Sequence, residues 1–266
     1  MNQRLNWENP TMKNLFSVDG KIALITGGSS GIGEMMATGY VMNGAKVYIA
    51  SRKMAECERV AEELSAHGTC IPIQADLSNM DGIEGLSAEI EKREGKLDIL
   101  INNAGANWAA PFEEYPESGW DKVFDVNVKA PFFLTQKLTP ALRAATSTAD
   151  PSRVINTSSI NGLNVPDLET YAYSASKAGI IHLTRVLAKK LAPEINVNTI
   201  APGPFQSRMM KETLERLGDA YLEAMPVKRI GCAEDAAGTA IFLGSRASAF
   251  ITGACIELDG GSHTTS

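Results

Sequence analysis

Tyr173-Ser174-Ala175-Ser176-Lys177 sets a phenol and an ammonium four residues apart, which on a helix is one face. A free tyrosine titrates at about 10 and is a poor acid–base catalyst near neutrality. A positive charge beside it favours phenolate and draws that pKa toward the working range. Tyr171 lacks such a partner, because Ala175 stands four residues after it. Upstream, Ser158 and Ser159 offer hydroxyls to an oxygen that gains negative charge, as a carbonyl does when it accepts a hydride. Far from these in sequence, Gly27, Gly31 and Gly33 follow a short apolar run. Their spacing suits a phosphate cradle: a tight turn, a backbone free to approach an anion, and a helix packed closely on its strand.

The ligand that joins a phosphate cradle to a hydride acceptor is a nicotinamide dinucleotide. An acidic residue at the end of the second strand would hold the adenosine ribose and repel a 2′-phosphate. This chain has Ser51-Arg52-Lys53 there, a hydroxyl and a guanidinium able to donate to a phosphate. The expected cofactor is therefore NADPH rather than NADH. Other chemistries lack their residues. His67, His182 and His263 are dispersed, no zinc spacing is present, and there is no Gly-x-Ser-x-Gly elbow.

Elements that would position these groups follow from the pattern. Apolar runs at Lys21–Thr26, Lys46–Ala50, Cys70–Ala75, Leu97–Ile101, Arg153–Thr157, Ile195–Ile200 and Ala254–Leu258 read as strands. Pro72 points to an edge position for the third. Helical patterns separate them: from Ile32 to Asn43, Glu56 to Leu64, Asp81 to Arg93, a long one from Ser118 to Ala145, Tyr171 to Leu191, Met209 to Leu217 and Ala233 to Leu243. Alternation of this kind calls for a doubly wound α/β fold, a Rossmann-type, seven-stranded, mainly parallel sheet with helices on both faces. The polar signatures fall after the strands' C-terminal ends, the ligand-binding edge of such sheets.

The chain has 266 residues, 44% of them hydrophobic, and a formal net charge of -6. That length supports one domain over 18–266, preceded by an N-terminal extension, 1–17. The acidic balance argues against nucleic acid and anionic membranes, and leaves small molecules or other proteins as partners. No signal or membrane-length apolar run is read. Cys57, Cys70, Cys232 and Cys255 show no paired spacing, which suits a reducing, cytoplasmic setting.

Thr26-Gly27-Gly28-Ser29-Ser30-Gly31-Ile32-Gly33, Asn102-Asn103-Ala104-Gly105 and Tyr173 with Lys177, in this order, resemble the short-chain dehydrogenase/reductase family, over roughly Val18 to Gly261. The resemblance implies a cofactor site of Gly27, Ser29, Ser30, Gly31, Ile32, Gly33, Ser51, Arg52, Asp76, Leu77, Asn103, Ala104 and Gly105. Tyr173, Lys177, Pro202, Gly203, Phe205 and Ser207 would complete it at the nicotinamide end. It implies that Asn127 is a structural and relay asparagine. Aligned with the family's Ser-x-x-Gly, Ser159 rather than Ser158 becomes the catalytic serine. Tyr173 becomes the general acid and Lys177 the group that binds the nicotinamide ribose. One departure is Ser30, where many NADPH-dependent members carry Arg or Lys.

Asn107-Trp108, Tyr115 to Trp120 and Pro204 to Met209 look most similar to 3-oxoacyl carrier-protein reductases of the rhamnolipid-pathway type. The implied function is an NADPH-dependent carbonyl reductase acting on a ketone such as a 3-oxoacyl thioester. The alternatives are an NAD(P)-dependent dehydrogenase of a sugar or other secondary alcohol, and a non-catalytic NADP(H) sensor. Likeness of the helices around Asn127 and Tyr173 to those that assemble family tetramers implies a homo-oligomer, tetramer or dimer.

Overall fold

The computed structural model describes residues 12–206, 222–223 and 225–263. The helix read over Met209–Leu217 and residues 1–11 of the extension lie outside these. Seven strands, β1 (Ile22–Thr26), β2 (Lys46–Ser51), β3 (Cys70–Gln74), β4 (Ile99–Asn102), β5 (Ser152–Thr157), β6 (Ile195–Pro202) and β7 (Cys255–Leu258), form one sheet in the order β3-β2-β1-β4-β5-β6-β7. Every neighbouring pair is parallel. Strand order reverses between β1 and β4, so loops leaving these two strands diverge and open a crevice at their C-terminal ends. Pro72, which has no N–H for a ladder, lies on the edge strand β3.

Both faces of a parallel sheet are covered, so its strands are apolar on both sides. Ala23, Ile25, Val47, Ile49, Ile99 and Ile101 pack with Met36 and Tyr40 of α1 (Gly31–Met42), Val60 and Leu64 of α2 (Met54–Leu64), and later Ala240 and Leu243 of the last helix. Leu24, Tyr48, Leu100, Val154 and Val197 face the other way. There they meet α3 (Met80–Glu94), α5 (Ala130–Ala145) and α6 (Tyr171–Leu191). Numbering in chain order, α4 is Glu117–Phe124 and the last helix, α7, is Ala233–Gly244. Among the described residues, no helix is long and apolar enough to cross a membrane.

Most bounds shift by a residue or two from the sequence reading, and two differences go further. Strand β6 runs on to Pro202, because Ala201 and Pro202 pair with Glu257 and Leu258. The long helix over Ser118–Ala145 is not uniform: α4 passes into α5 through a π turn, Asp125–Lys129, in which the Ala130 amide donates to the Asp125 carbonyl. Pro131 has no N–H to give Asn127, its acceptor in a regular α-helix, so the regular ladder cannot run through this point.

Candidate active site

The turn from β1 into α1 is built on main-chain proximity. Gly27 has φ +67°, a left-handed conformation. A Cβ on Gly33 would lie 2.2 Å from the Gly27 carbonyl oxygen, so no larger residue lets α1 sit this close to β1. The Thr26 hydroxyl accepts from the amides of Asn103 and Ala104, both at 3.0 Å, and donates to Ile101 O at 3.3 Å. The Asn103 amide returns the contact, with Nδ2 3.2 Å from Thr26 O and 3.4 Å from Gly27 O. Thus the loop after β4 is bonded to the loop after β1. Ser30 is the N-cap of α1, and its side chain caps none of the helix amides. The first-turn N–H groups and the positive end of the helix dipole are left for an anion.

At the far end of the crevice the Ser29 hydroxyl donates to Ser51 Oγ at 3.0 Å. Ser51 Oγ also accepts from the Lys53 amide at 3.3 Å and lies 3.1 Å from Cys57 Sγ. Arg52 is exposed, and Gln74 Nε2 holds its carbonyl at 3.1 Å. The Asp76 carboxyl is held below its ordinary range, first by the Ser78 amide and more weakly by the Arg52 charge. Leu77 beside it is buried. The donor set, two serine hydroxyls and a guanidinium with no carboxylate at the strand tip, fits a 2′-phosphate on the adenosine ribose. The glycine turn fits the pyrophosphate.

Helix α6 carries Tyr173 and Lys177 into the same crevice. Lys177 is 4% exposed, donates from Nζ to the Thr157 carbonyl at 2.8 Å, and holds that nitrogen 5.5 Å from the centre of the Tyr173 ring. Burial brings its pKa down to about 8. The sequence led us to expect a phenol pulled down by this ammonium. At this position burial pushes Tyr173 above the ordinary tyrosine value, and the opposing pull comes from a hydrogen bond with Ser159 rather than from the ammonium. With Nζ turned onto Thr157 O, Tyr173 is a neutral phenol at physiological pH, the form that can give a proton.

The two serines separate clearly. Ser158 is buried and donates to the Lys177 carbonyl at 2.7 Å, tying the end of β5 to α6. Ser159 caps the short 3₁₀ turn Ile160–Gly162 by accepting from the Asn161 amide at 3.2 Å, and is the one that reaches the phenol. Asn127 is 2% exposed, inside the π turn. Its Oδ1 accepts from Ala106 N at 2.8 Å, and its Nδ2 donates to Ala106 O at 2.9 Å and Ser176 Oγ at 3.0 Å. Thr157 Oγ1, Asn164 Oδ1 and Thr170 Oγ1, on the stretch from the last residue of β5 to the cap of α6, are buried without a protein partner.

The glycine turn, Ser51, Arg52, Asp76, Asn103 to Gly105, Ser159 and Pro202-Gly203 all follow or end strands at the sheet's C-terminal edge, with Tyr173, Lys177 and Asn127 supplied by helices. Gly203 N donates to Leu258 O at 3.0 Å. Phe205 is 4% exposed, and its ring packs where a Cβ on Gly231 would be. Ser207 lies outside the described residues. Sequence reasoning passed over Thr26, Ala106 and Ser176. For Thr26 the signal was its fixed place before Gly27; for the other two there was none, since their roles exist only through contacts with Asn127.

A family model described as short chain dehydrogenase matches residues 21–218. The chain is 44% identical over 255 residues to the rhamnolipids biosynthesis 3-oxoacyl-[acyl-carrier-protein] reductase of Pseudomonas aeruginosa, covering 95% of this chain and all of that protein. It is 37% identical over 249 residues to the 3-oxoacyl-[acyl-carrier-protein] reductase FabG of Staphylococcus epidermidis, covering 91% and 99%. Among solved structures, the Pseudomonas aeruginosa RhlG/NADP active-site complex superposes with a TM-score of 0.90 at 44% identity, over 95% of this chain and 100% of that one. The chain belongs to the short-chain dehydrogenase family of oxidoreductases.

Proposed function

We propose that this protein is an NADP(H)-dependent carbonyl reductase acting on 3-oxoacyl thioesters. The observation that carries the reading is the convergence of Ser159, a neutral Tyr173 and a buried Lys177 on the crevice that begins at the glycine turn. The similarity to two 3-oxoacyl reductases supports the substrate class. Ser29, Ser51 and Arg52 would hold the 2′-phosphate, the Gly27–Gly33 turn the pyrophosphate, and Lys177 the nicotinamide ribose. The bound cofactor supplies the hydride. Ser159 holds the substrate's keto oxygen, and Tyr173 protonates that oxygen as negative charge develops on it. Ser159, hydrogen-bonded to the phenol, stabilises the phenolate left behind, while Asn127 keeps the loop and α6 in register. The four cysteines are free thiols, which supports a reducing compartment, the cytoplasm. The sequence likeness of the helices around Asn127 and Tyr173 to family assembly helices supports a homo-oligomer.

The test is NADPH oxidation with 3-oxoacyl thioesters, small ketones and sugars. Tyr173→Phe should lower turnover by about 10²–10⁴-fold while the NADPH dissociation constant, measured by titration, stays the same. Full activity in this variant overturns the mechanism. Turnover confined to sugar oxidation with NAD⁺ overturns the substrate class.

A further inference from the structure

Residues 103–111 have no regular secondary structure, yet this segment holds Asn127. We propose that Trp108 is a positioning residue: seated on Gly119 of α4, its indole fixes the loop whose Ala106 clamps the Asn127 side chain. The inference rests on the reductase reading for its kinetic arm alone.

Three observations place the indole. A Cβ on Gly119 would lie 2.8 Å from indole Cγ, Cδ1 and Cδ2, so the ring lies directly against the α4 main chain. Lys122, one turn further along α4, holds Nζ 5.1 Å from the ring centre, a cation–π contact on the same side chain. The backbone of Trp108 is closed at both ends: Asn107 Oδ1 accepts from its amide at 2.8 Å, and the Tyr115 hydroxyl donates to its carbonyl at 3.3 Å. Downstream the loop is moored again. Ala110 N donates to Glu169 O at 3.2 Å, and the rings of Phe112 and Tyr115 meet Tyr171 edge-on at 5.6 and 5.5 Å.

Two residues before Trp108, both main-chain polar groups of Ala106 are engaged by Asn127. Gly105 lies beside the same site, where an added Cβ would be 3.5 Å from Asn127 Oδ1 and 3.8 Å from Lys177 Nζ. A loop displaced at Trp108 therefore pulls Ala106 off Asn127, which is left with Ser176. Gly119 is what makes the seat. In a helix an alanine is ordinarily better than a glycine, so a loss on Gly119→Ala reports the indole and not the helix.

Trp108→Ala, Trp108→Phe and Gly119→Ala are compared with wild type in the full chain. Trp108→Ala and Gly119→Ala should each lower kcat by about 10–10²-fold, with the substrate KM and the NADPH dissociation constant unchanged. Trp108→Phe should restore most of kcat. Gly119→Ala should add nothing to Trp108→Ala, because the clash is gone. A rise in KM with kcat intact would make Trp108 a substrate contact. A lower melting temperature with unaltered kinetics would make it a structural prop. Either result overturns the proposal. A second measurement needs no substrate: amide hydrogen exchange at Ala106 should quicken by about tenfold or more in Trp108→Ala and Gly119→Ala but not in Trp108→Phe. Unchanged exchange overturns the proposal whatever the enzyme reduces, and accelerated exchange without any turnover in wild type sets aside the reductase reading alone.

Discussion

Lys177 carries an ammonium into a place that water barely reaches, with the Thr157 carbonyl as its hydrogen-bond acceptor. Its folded pKa of about 8 lies below the value of about 10.4 expected for an unfolded lysine. Between those values the unfolded chain holds the extra proton, so this residue makes stability rise with pH across that window. Below pH 8 the whole cost of burying the charge is present, on the order of 3 kcal/mol. Lys177→Met keeps the length and removes the charge. We expect the cofactor-free variant to be more stable than wild type at pH 7, and the gap to close as pH rises from 8 to above 10. Cys70, pushed up to about 12 by burial, and Cys255, also raised, act in the opposite sense because their unfolded thiols ionise first. They are common to both proteins, so urea melts at matched pH isolate the lysine. A constant gap, or a less stable variant at pH 7, would show that the ammonium is well compensated where it lies.

At the scale of elements, the phosphate cradle is a statement about how closely a helix can approach a strand. Gly33 in the first turn of α1 has no room for a methyl group: Gly27 O would be 2.2 Å away and Asn103 Nδ2 2.4 Å. In Gly33→Ala either α1 retreats from β1 or the Gly27 carbonyl turns, and in the second case Asn103 loses an acceptor. We expect stability to fall by about 1–3 kcal/mol and NADPH affinity to fall by about tenfold or more, equivalent to about 1.4 kcal/mol. Gly85→Ala on α3, where a Cβ meets nothing within 4 Å, is the control and should gain up to about 1 kcal/mol. Calorimetric titration of both separates cradle from helix propensity. This part of the molecule was legible in the sequence, because a tight turn leaves glycines and a buried strand leaves an apolar run. The π turn at Asn127 was not, since its cause, Pro131, acts through an acceptor four residues back. Nor was the choice between Ser158 and Ser159 open to the residues alone, since it depends on which hydroxyl faces α6 and which faces the phenol. The buried ring of Phe205 and the turn of Lys177 toward Thr157 were hidden for the same reason: both are directions, and sequence spacing carries no direction.

For the whole molecule, the sheet has two polar ends with different work. The C-terminal edge holds the crevice. At the opposite edge, around the starts of β1, β4 and β5, lies a charge cluster of Lys21, Asp98, Asp150 and Arg153. Lys21 Nζ is 2.7 Å from Asp150 and 3.7 Å from Asp98, whose Oδ2 accepts from Ile22 N at 3.0 Å. Arg153, 1% exposed, donates from Nη2 to Asp150 Oδ1 at 3.0 Å and Ser245 O at 2.9 Å, which ties β5 to the end of α7. Its Nε and Nη1 are buried without partners. Burial weakens this guanidinium's hold on its proton and the Asp150 charge opposes that. Asp150→Asn leaves a buried cation with less compensation. The loss should be about 3 kcal/mol, the low end for breaking a buried pair because Asp150 is partly open to water. At about 2–4 °C per kcal/mol that is a melting temperature lower by roughly 6–12 °C. Turnover and NADPH affinity should not change, because the length of β5, at about 3.3 Å per residue, separates the cluster from the crevice. Adding Arg153→Met should recover most of the stability, since a buried ion pair replaced by apolar side chains of similar volume is commonly neutral or better. If Asp150→Asn slows turnover as much as it lowers the melting temperature, the two ends of the sheet are coupled and the division of labour fails. Recovery of stability with full activity in the double variant would instead show that the cluster fixes strand ends and nothing in the site.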